Sequence, residues 1–285
     1  MTLRQLCNDA TIRLAARFGS GEAKWMVRII MEDLKGYSLA DLAIKADNEV
    51  TDWLAGKVDG IVGRLLDDEP IQYVFQEARF YGLKLKVTPA TLIPRPETEE
   101  LVGMIVRDYG RKSDLRVLDA CTGSGCIALA LARNLPFSKV EAFDFSDAAL
   151  AVAEENNKTL RTGVDFYRQD ALSLPSPSEP IYDIVVSNPP YIADHERESM
   201  EPNVLLYEPS SALFVPDDTP LIFYHAIAAY SLRALKPGGR IYFELNPDYA
   251  DLLAGDMEQA GWEEVSVELD IERKKRFLSA TCPGR

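Results

Sequence analysis

The 285-residue chain is 47% hydrophobic and 27% charged, as expected for a soluble globular protein with one large or two ordinary domains. Its formal net charge of −14 disfavours unaided binding to nucleic acid, because proteins that bind phosphates usually carry a basic face. The four cysteines form no CxxC pair, and with only two histidines beside them they exclude a zinc site of ordinary ligand spacing. The start of the chain lacks the apolar core of a signal peptide, and no apolar run approaches the roughly 18 residues of a membrane helix. We therefore expect a cytoplasmic protein without a metal site or a membrane segment.

The first 70 residues predict a small bundle of helices. Apolar side chains recur at three- and four-residue steps over residues 3–18, 23–34 and 53–65. Gly36 is a suitable stop for the second helix, and Ser38 could cap a third one before the last stripe. Since none of these helices contains a catalytic pattern, we interpret residues 1–70 as a substrate-docking domain.

The spacing of apolar residues changes after residue 70. Ile71, Tyr73 and Phe75 occupy alternate positions, and a second extended segment covers residues 80–87. This pattern predicts a β-hairpin within residues 71–94 that links two domains.

Strand and helix patterns alternate over residues 95–285. One predicted helix ends at Gly110, and others cover residues 127–134 and 148–159. The alternation predicts an α/β fold with a mostly parallel sheet and helices on both faces. The predicted strands are Leu115–Ala120, Lys139–Asp144, Val164–Tyr167, Ile181–Ser187, Arg240–Leu245, Glu264–Leu269 and Arg276–Thr281.

The first of these strands runs into a turn of small residues and then a helix, in the stretch Val-Leu-Asp-Ala-Cys-Thr-Gly-Ser-Gly at 117–125. Glycines let the backbone approach a ligand, and the start of a helix can bind an anion, either the pyrophosphate of a dinucleotide or the carboxylate of S-adenosylmethionine. Asp144 ends the next strand, where it can accept hydrogen bonds from ribose hydroxyls, and Asp170 could reach an adenine edge. Ala128 stands where the dinucleotide pattern GxGxxG has its third glycine, but that pattern tolerates alanine there. The turn alone therefore leaves both cofactors open, as well as a tight turn without a ligand.

A second motif, Asn188-Pro189-Pro190-Tyr191, follows the fourth predicted strand at the sheet edge where open α/β folds bind ligands. The two prolines make a rigid turn without N–H donors, Asn188 adds a side-chain carbonyl, and Tyr191 adds an aromatic face. The lone pair of a planar NH₂ group is delocalised, so two acceptors that hold both N–H bonds would direct it at an activated methyl group. We interpret these four residues as the catalytic motif. The alternative is a structural turn in which Asn188 caps and Tyr191 packs.

At these residues the chain closely resembles the protein-(glutamine-N5) methyltransferases of HemK/PrmC type, which act on peptide chain release factors. The resemblance covers most of the chain. The stretch Ile-Pro-Arg-Pro-Glu-Thr-Glu at 93–99 is more specific than the NPPY motif, which adenine-N6 DNA methyltransferases share. Further landmarks are the turn at 119–125, Tyr207-Glu208-Pro209 and Lys236-Pro237-Gly238-Gly239.

The resemblance implies a seven-stranded Rossmann-like methyltransferase domain over residues 95–285, with S-adenosylmethionine as cofactor. It implies that the acceptor is the glutamine of the release factors' Gly-Gly-Gln motif. Implied substrate contacts are Asn188, Pro189, Pro190 and Tyr191, followed by Arg95, Glu97 and Thr98. Implied cofactor contacts are Cys121, Thr122, Gly123, Ser124, Gly125, Asp144, Asp170, Ala171 and Asn188.

Three residues depart from the family's usual pattern. Cys121 stands where the family usually has glycine, so the turn is expected to differ slightly. Ala171 occupies a position that is often aromatic, which would weaken stacking on adenine. Asn246 replaces the usual glycine after Glu244.

Other activities stay open from the residues alone. Methylation of adenine-N6 in nucleic acid is disfavoured by the acidic charge and by the absence of a basic groove, because a base must first be taken out of its stack. A ribosomal-protein glutamine is a closer alternative that first principles do not separate. A binding protein without activity is disfavoured by the intact NPPY motif. We expect a monomer whose partner is the release factor, without direct contact to nucleic acid.

Overall fold

The computed structural model describes residues 1–284, which form two compact units. The first unit comprises Met1–Gln76 together with Glu201–Tyr207, and the second comprises the rest of the described chain. The division after Gln76 falls inside the segment 71–94 that the sequence assigns to a linker.

Eleven α-helices lie within residues 1–284. In chain order they are α1 (Leu3–Phe18), α2 (Ser20–Lys35), α3 (Leu39–Ile44), α4 (Asp52–Leu66), α5 (Ile71–Phe75), α6 (Pro96–Tyr109), α7 (Cys126–Asn134), α8 (Asp147–Leu160), α9 (Pro202–Tyr207), α10 (Ile222–Ala234) and α11 (Ala250–Gln259).

Eleven β-strands lie within the same residues. In chain order they are β1 (Glu77–Phe80), β2 (Leu83–Lys86), β3 (Arg116–Ala120), β4 (Lys139–Asp144), β5 (Asp165–Arg168), β6 (Tyr182–Ser187), β7 (Ile192–Ala193), β8 (Phe214–Val215), β9 (Leu235–Glu244), β10 (Glu263–Leu269) and β11 (Lys275–Thr281).

The first unit is a helical bundle whose core is formed mainly by apolar side chains of α1, α2 and α4. Thr2 begins α1 with a capping box, and Ser38 caps α3 in the same way. Gly36 ends α2 in a left-handed conformation, with φ at 65°. These helices confirm the sequence prediction. Trp53, at the start of the last predicted stripe, is nevertheless 57% exposed, because the neighbouring Leu54 takes the buried position.

The strand predicted from Ile71, Tyr73 and Phe75 is wrong, because these residues form the short helix α5. Alternation over only five residues does not distinguish a strand from a single helical turn. Gln76 then ends the helix with φ at 53°. The predicted hairpin is present as the antiparallel pair β1 and β2, and it is confined to residues 77–86.

The second unit is built on a seven-stranded sheet in the order β10-β11-β9-β6-β3-β4-β5. Strand β11 runs antiparallel to both of its neighbours, and the other neighbouring pairs are parallel. All seven predicted strands are confirmed. Strand β9 begins at Leu235, earlier than the predicted Arg240, because residues before Arg240 still pair at this end of the sheet.

Helices cover both faces of this sheet, as predicted. Apolar side chains of α6 and α7 pack on one face together with the hairpin, and those of α10 and α11 pack on the other. Within β9, Tyr242 belongs to the first cluster while Ile241 and Phe243 belong to the second, which is the alternation of a strand buried on both sides. The two layers hold the strand ends at fixed positions.

No helix in the described residues is long and apolar enough to span a lipid bilayer.

Candidate active site

The carboxyl ends of β3, β4 and β6 lie side by side. Ala120 of β3 pairs with Phe143 of β4 and with Ser187 of β6. The residues that follow these three are Cys121, Asp144 and Asn188. Because these strands are parallel and in register, the turn at residues 121–125, Asp144 and the NPPY motif lie at one edge of the sheet. The order in which strands are added to the sheet also changes direction between β3 and β6: β4 and β5 lie on one side of β3, and β6 lies on the other. Open α/β folds bind ligands at such a position.

A cavity opens at this edge, and all the residues that line it belong to the second unit. The sequence-predicted residues that line it are Arg95, Thr98, Cys121, Thr122, Gly123, Ser124, Asp144, Asp170, Ala171, Asn188 and Pro190. The sequence-predicted residues outside this lining are Glu97, Gly125, Pro189 and Tyr191.

The turn between β3 and α7 contains three residues with left-handed backbone, Cys121 at φ 61°, Gly123 at 57° and Gly125 at 81°. Glycine adopts this conformation without the clash that a Cβ atom causes. Cys121 carries that clash at the position where the resembled family usually has glycine. A Cβ atom on Gly125 would lie 3.0 Å from the Phe166 ring and 3.2 Å from Ala153, whereas one on Gly123 would meet nothing within 4 Å. Only Gly125 is therefore needed for close packing.

Asp144 holds the turn through its carboxylate. One oxygen accepts a hydrogen bond from the N–H of Gly123 at 2.9 Å, and the other accepts one from the N–H of Ser146 at 3.0 Å. Burial raises the pKa of Asp144, and these backbone donors partly lower it. Each carboxylate oxygen has a second lone pair, so Asp144 can still accept from a ligand in the cavity that it lines.

Asp119 supports the turn from within the sheet. Its Oδ2 accepts from the hydroxyl of Thr122 at 2.6 Å and from the N–H of Ala128 at 3.1 Å. Burial raises the pKa of Asp119 to about 7, although both hydrogen bonds act in the opposite direction. The carboxyl group thus joins the turn to the first residues of α7.

Asp170 and Ala171, which follow β5 in the chain, also line the cavity. The Oδ1 atom of Asp170 accepts from the N–H of Leu172 at 2.8 Å and so begins a short 3₁₀ turn. Ala171 is buried at 4% exposure. A methyl group therefore stands where the resembled family often has an aromatic ring.

The NPPY motif is tied to the rest of the domain by one buried carboxylate, Glu244, at the end of β9. The Thr98 hydroxyl donates to Glu244 Oε2 at 2.6 Å, and the Tyr191 hydroxyl donates to Oε1 at 3.2 Å. Asn188 in turn donates through Nδ2 to Thr98 Oγ1 at 3.2 Å. Burial raises the pKa of Glu244, and Thr98 and Arg276 counteract it. Burial also raises the pKa of Tyr191, so its hydroxyl stays protonated and acts as a donor.

A second buried carboxylate, Glu208, joins the segment before α6 to the segment after α9. It accepts from the N–H of Ile93 at 3.0 Å and pairs with the guanidinium of Arg95 at 2.5 Å. Arg95 and the adjacent Pro209 both line the cavity. Glu208 therefore fixes two stretches of the cavity wall against each other.

The sequence prediction missed the roles of Glu244 and Glu208. Glu244 stands in a predicted strand near the carboxyl edge of the sheet, and that position is a signal that could have identified it. Glu208 appeared only as part of a landmark, with no local pattern that indicates its partners. His195, which follows the NPPY motif in the chain, is exposed and hydrogen-bonded to Asp217, and it lies outside the cavity lining.

Family models and known relatives match this chain over both of its units. Residues 101–213 match the family model of the methyltransferase small domain, and residues 5–75 match that of the PrmC N-terminal domain. The release factor glutamine methyltransferase of Bacteroides thetaiotaomicron is 43% identical over 91% of this chain and 92% of its own length. The enzyme of Flavobacterium psychrophilum is 36% identical over 93% of this chain and 94% of its own length. That of Deinococcus radiodurans is 31% identical over 100% of both chains.

The chain belongs to the release factor glutamine methyltransferase family. It is accordingly an S-adenosylmethionine-dependent methyltransferase, and the open choice between that cofactor and a dinucleotide is resolved in favour of S-adenosylmethionine.

Solved structures agree on the fold. A methyltransferase from Pyrococcus furiosus is similar with a TM-score of 0.53 and 15% identity, over 78% of this chain and 98% of that one. The hMettl16 catalytic domain, solved in complex with MAT2A 3'UTR hairpin 6, is similar with a TM-score of 0.55 and 16% identity over 82% of each chain. At these identities the likeness shows the methyltransferase fold alone.

Proposed function

We propose that this family member transfers a methyl group to the side-chain amide nitrogen, N5, of the glutamine in the Gly-Gly-Gln motif of peptide chain release factors. The observation that carries the proposal is that Asn188 lines the same cavity as the glycine turn after β3. An acceptor held by Asn188 would then lie beside a cofactor held by that turn. The names of relatives that match this chain nearly end to end support the choice of substrate.

The residues of the cavity fit S-adenosylmethionine. The start of α7 follows the turn and offers backbone N–H groups for the carboxylate of the cofactor's methionine part. Asp144 would accept from the ribose hydroxyls, and Asp170 with Ala171 would adjoin the adenine. When bound, the cofactor supplies a methyl group on a positively charged sulfur that departs as a neutral thioether. The turn residues assigned to hold it are Cys121, Thr122, Gly123, Ser124 and Gly125.

The NPPY motif would hold the acceptor amide. Asn188 Oδ1 and the Pro189 carbonyl would accept the two N–H bonds, so that the lone pair of the nitrogen points at the methyl group. The nitrogen would bond to the methyl carbon as the bond from that carbon to sulfur breaks. These two oxygens would stabilise the positive charge that develops on the nitrogen until one N–H proton passes to solvent water. Pro190, which lines the cavity, would confine the plane of the amide. Tyr191 lies outside the lining, and its bond to Glu244 would fix the end of the motif beside Pro190.

Other parts of the chain would contact the protein around the glutamine. Arg95 lines the cavity, and Glu97 lies in the first turn of α6 outside the lining; both are the proposed contacts near the acceptor. The helical domain, residues 1–70, would dock the release factor, and its exposed Trp25 and Trp53 are suited to an apolar contact.

We further propose that the enzyme acts as a cytoplasmic monomer on the release factor alone. The net charge of −14 supports a protein substrate rather than nucleic acid. Labelled cofactor offered with release factor, ribosomal protein and DNA tests the substrate directly. Label should enter the release factor and be lost when the Gly-Gly-Gln glutamine is replaced. Label that persists in that replaced substrate would overturn the assignment.

Replacement of Asn188 tests the acceptor site. Asn188→Ala should lower the transfer rate by about 100-fold or more, as the loss of a group that acts on developing charge does, and leave cofactor affinity nearly unchanged. Asn134→Ala, an exposed asparagine at the end of α7, is the matched control and should keep full activity. Near-normal turnover by Asn188→Ala would refute the proposed grip on the amide.

A further inference from the structure

The side-chain amide of Asn188 has two ends of nearly equal shape, and only one of them can accept a hydrogen bond from an NH₂ group. If Nδ2 faced the acceptor, two donors would oppose each other. The proposed reaction therefore requires that the amide is held in one orientation. The hydrogen bonds from Asn188 to Thr98 and from Thr98 to Glu244 determine this orientation.

The direction of each bond follows from Glu244. The bonds from Thr98 and Tyr191 and the charge of Arg276 favour the ionised form of Glu244. A carboxylate can only accept, so the Thr98 hydroxyl, 2.6 Å from Oε2, must donate to it. A hydroxyl has a single proton, so Thr98 Oγ1 can then only accept from its other neighbour, Asn188, at 3.2 Å. Asn188 must therefore present Nδ2 to Thr98, which leaves Oδ1 as the end available to the cavity.

The same carboxylate also holds the far end of the NPPY motif. Glu244 Oε1 accepts from the Tyr191 hydroxyl at 3.2 Å, so both oxygens are bonded to groups that adjoin the motif. Glu244 is 1% exposed and Thr98 is 2% exposed, so water does not compete for these bonds. Glu244 does not line the cavity, and it can act on the reaction only through Thr98 and Tyr191.

We infer that Thr98 and Glu244 are positioning residues that orient the Asn188 amide so that its oxygen faces the acceptor nitrogen. This inference rests on the proposed function, because it assumes that Asn188 accepts from the substrate amide. It assigns to Glu244 a role in the reaction, and it assigns to Thr98 a role in orientation rather than in contact with the substrate.

Two substitutions at Thr98 separate orientation from packing. Thr98→Val keeps the shape but removes the hydroxyl, so Asn188 loses the acceptor that fixes Nδ2. We expect kcat with release factor to fall by about 10-fold or more, the equivalent of one lost hydrogen bond, while the Kd for S-adenosylmethionine changes less than about 2-fold, which is under 0.5 kcal/mol. Thr98→Ser retains the hydroxyl and should restore kcat to within about 3-fold of the wild type. A Thr98→Ser enzyme as slow as Thr98→Val would overturn the inference.

Glu244→Gln provides an independent test. A glutamine amide offers one acceptor and one donor in place of two acceptors, so either the Thr98 hydroxyl or the Tyr191 hydroxyl must reverse. Reversal at Thr98 releases the Asn188 amide, and reversal at Tyr191 breaks the bond that holds the far end of the motif. We expect kcat to fall at unchanged cofactor Kd, and we expect little additional loss when Glu244→Gln is combined with Thr98→Val, because both interrupt one chain of bonds. Glu99→Gln, on the same helix turn as Thr98, is the charge-matched control and should be without effect.

The outcomes separate this inference from the proposed function. If the wild type does not methylate release factor at all, the proposed function fails. If the wild type is active and Glu244→Gln and Thr98→Val are equally active, the function stands and the positioning role is refuted. If Thr98→Val loses cofactor binding or does not fold, Glu244→Gln alone decides, and an unchanged kcat overturns the inference. If the fold-losses in kcat of Glu244→Gln and Thr98→Val multiplied in the double variant instead of overlapping, that result would also contradict the inference.

Discussion

Gly125→Ala is expected to destabilise the enzyme much more than Gly123→Ala, although both glycines lie in one turn with positive φ. The left-handed backbone costs an alanine about 1–2 kcal/mol at either position. Only at Gly125 would the new Cβ atom also meet Phe166 at 3.0 Å, Leu129 at 3.1 Å and Ala153 at 3.2 Å. Overpacking of this kind costs about 1–3 kcal/mol. We expect a total loss of about 2–5 kcal/mol for Gly125→Ala and about 1–2 kcal/mol for Gly123→Ala.

Equilibrium unfolding in urea measures both values, provided that the signal comes from the second unit. Trp262 is buried in that unit, whereas the other two tryptophans, Trp25 and Trp53, belong to the helical unit. Fluorescence in a background with both of these replaced by phenylalanine therefore reports the unfolding of the sheet domain. The two glycine variants should differ in the free energy of unfolding by at least about 1 kcal/mol. A difference below about 0.5 kcal/mol, the usual error of such comparisons, would refute the assignment of Gly125 to close packing.

Three further outcomes are expected. Asp144→Ala should raise the Kd for S-adenosylmethionine, measured by titration calorimetry, by about 5- to 150-fold, which corresponds to the loss of a charge-assisted hydrogen bond of about 1–3 kcal/mol. Asp147→Ala, at an exposed position, should leave this Kd unchanged, and equal affinities in the two variants would show that Asp144 does not hold the ribose. The pKa of Asp119 is about 7 in the folded protein and about 3.8 in the unfolded chain, so the folded state binds more protons between these two values. The free energy of unfolding should therefore fall by up to about 4 kcal/mol as the pH rises through this window. In cofactor-free protein Asp119→Asn should flatten that pH dependence, and an unaltered slope would assign it to other groups. Glu208→Ala should lower the free energy of unfolding by about 1–3 kcal/mol because it leaves Arg95 without its partner, while Glu208→Gln, which keeps an acceptor, should lose less; identical denaturation curves for the two variants would contradict this reading.

The architecture was largely predictable because its signals are local. Apolar periodicity defines the strands of the sheet and the main helices, and each of these elements is long enough to show its own period. The failure at Ile71–Phe75 has the same explanation, since five residues are too few to separate a period of two from a helical turn. The placement of Cys121, Asp144 and Asn188 at one edge was also predictable, because parallel strands end on the same side of a sheet.

The sequence by itself determined the fold class, the cofactor turn and the NPPY motif, because each is carried by residues that lie close together in the chain. Only the tertiary structure decided what holds these parts in place. Thr98 and Glu244 are 146 positions apart, and Ile93 and Glu208 are 115 apart, yet each pair is joined by a buried hydrogen bond. Local periodicity carries no information about such partners. They are set by which strand ends and helix starts meet once the sheet has formed, and for that reason the orientation of the Asn188 amide could be derived only from the folded chain.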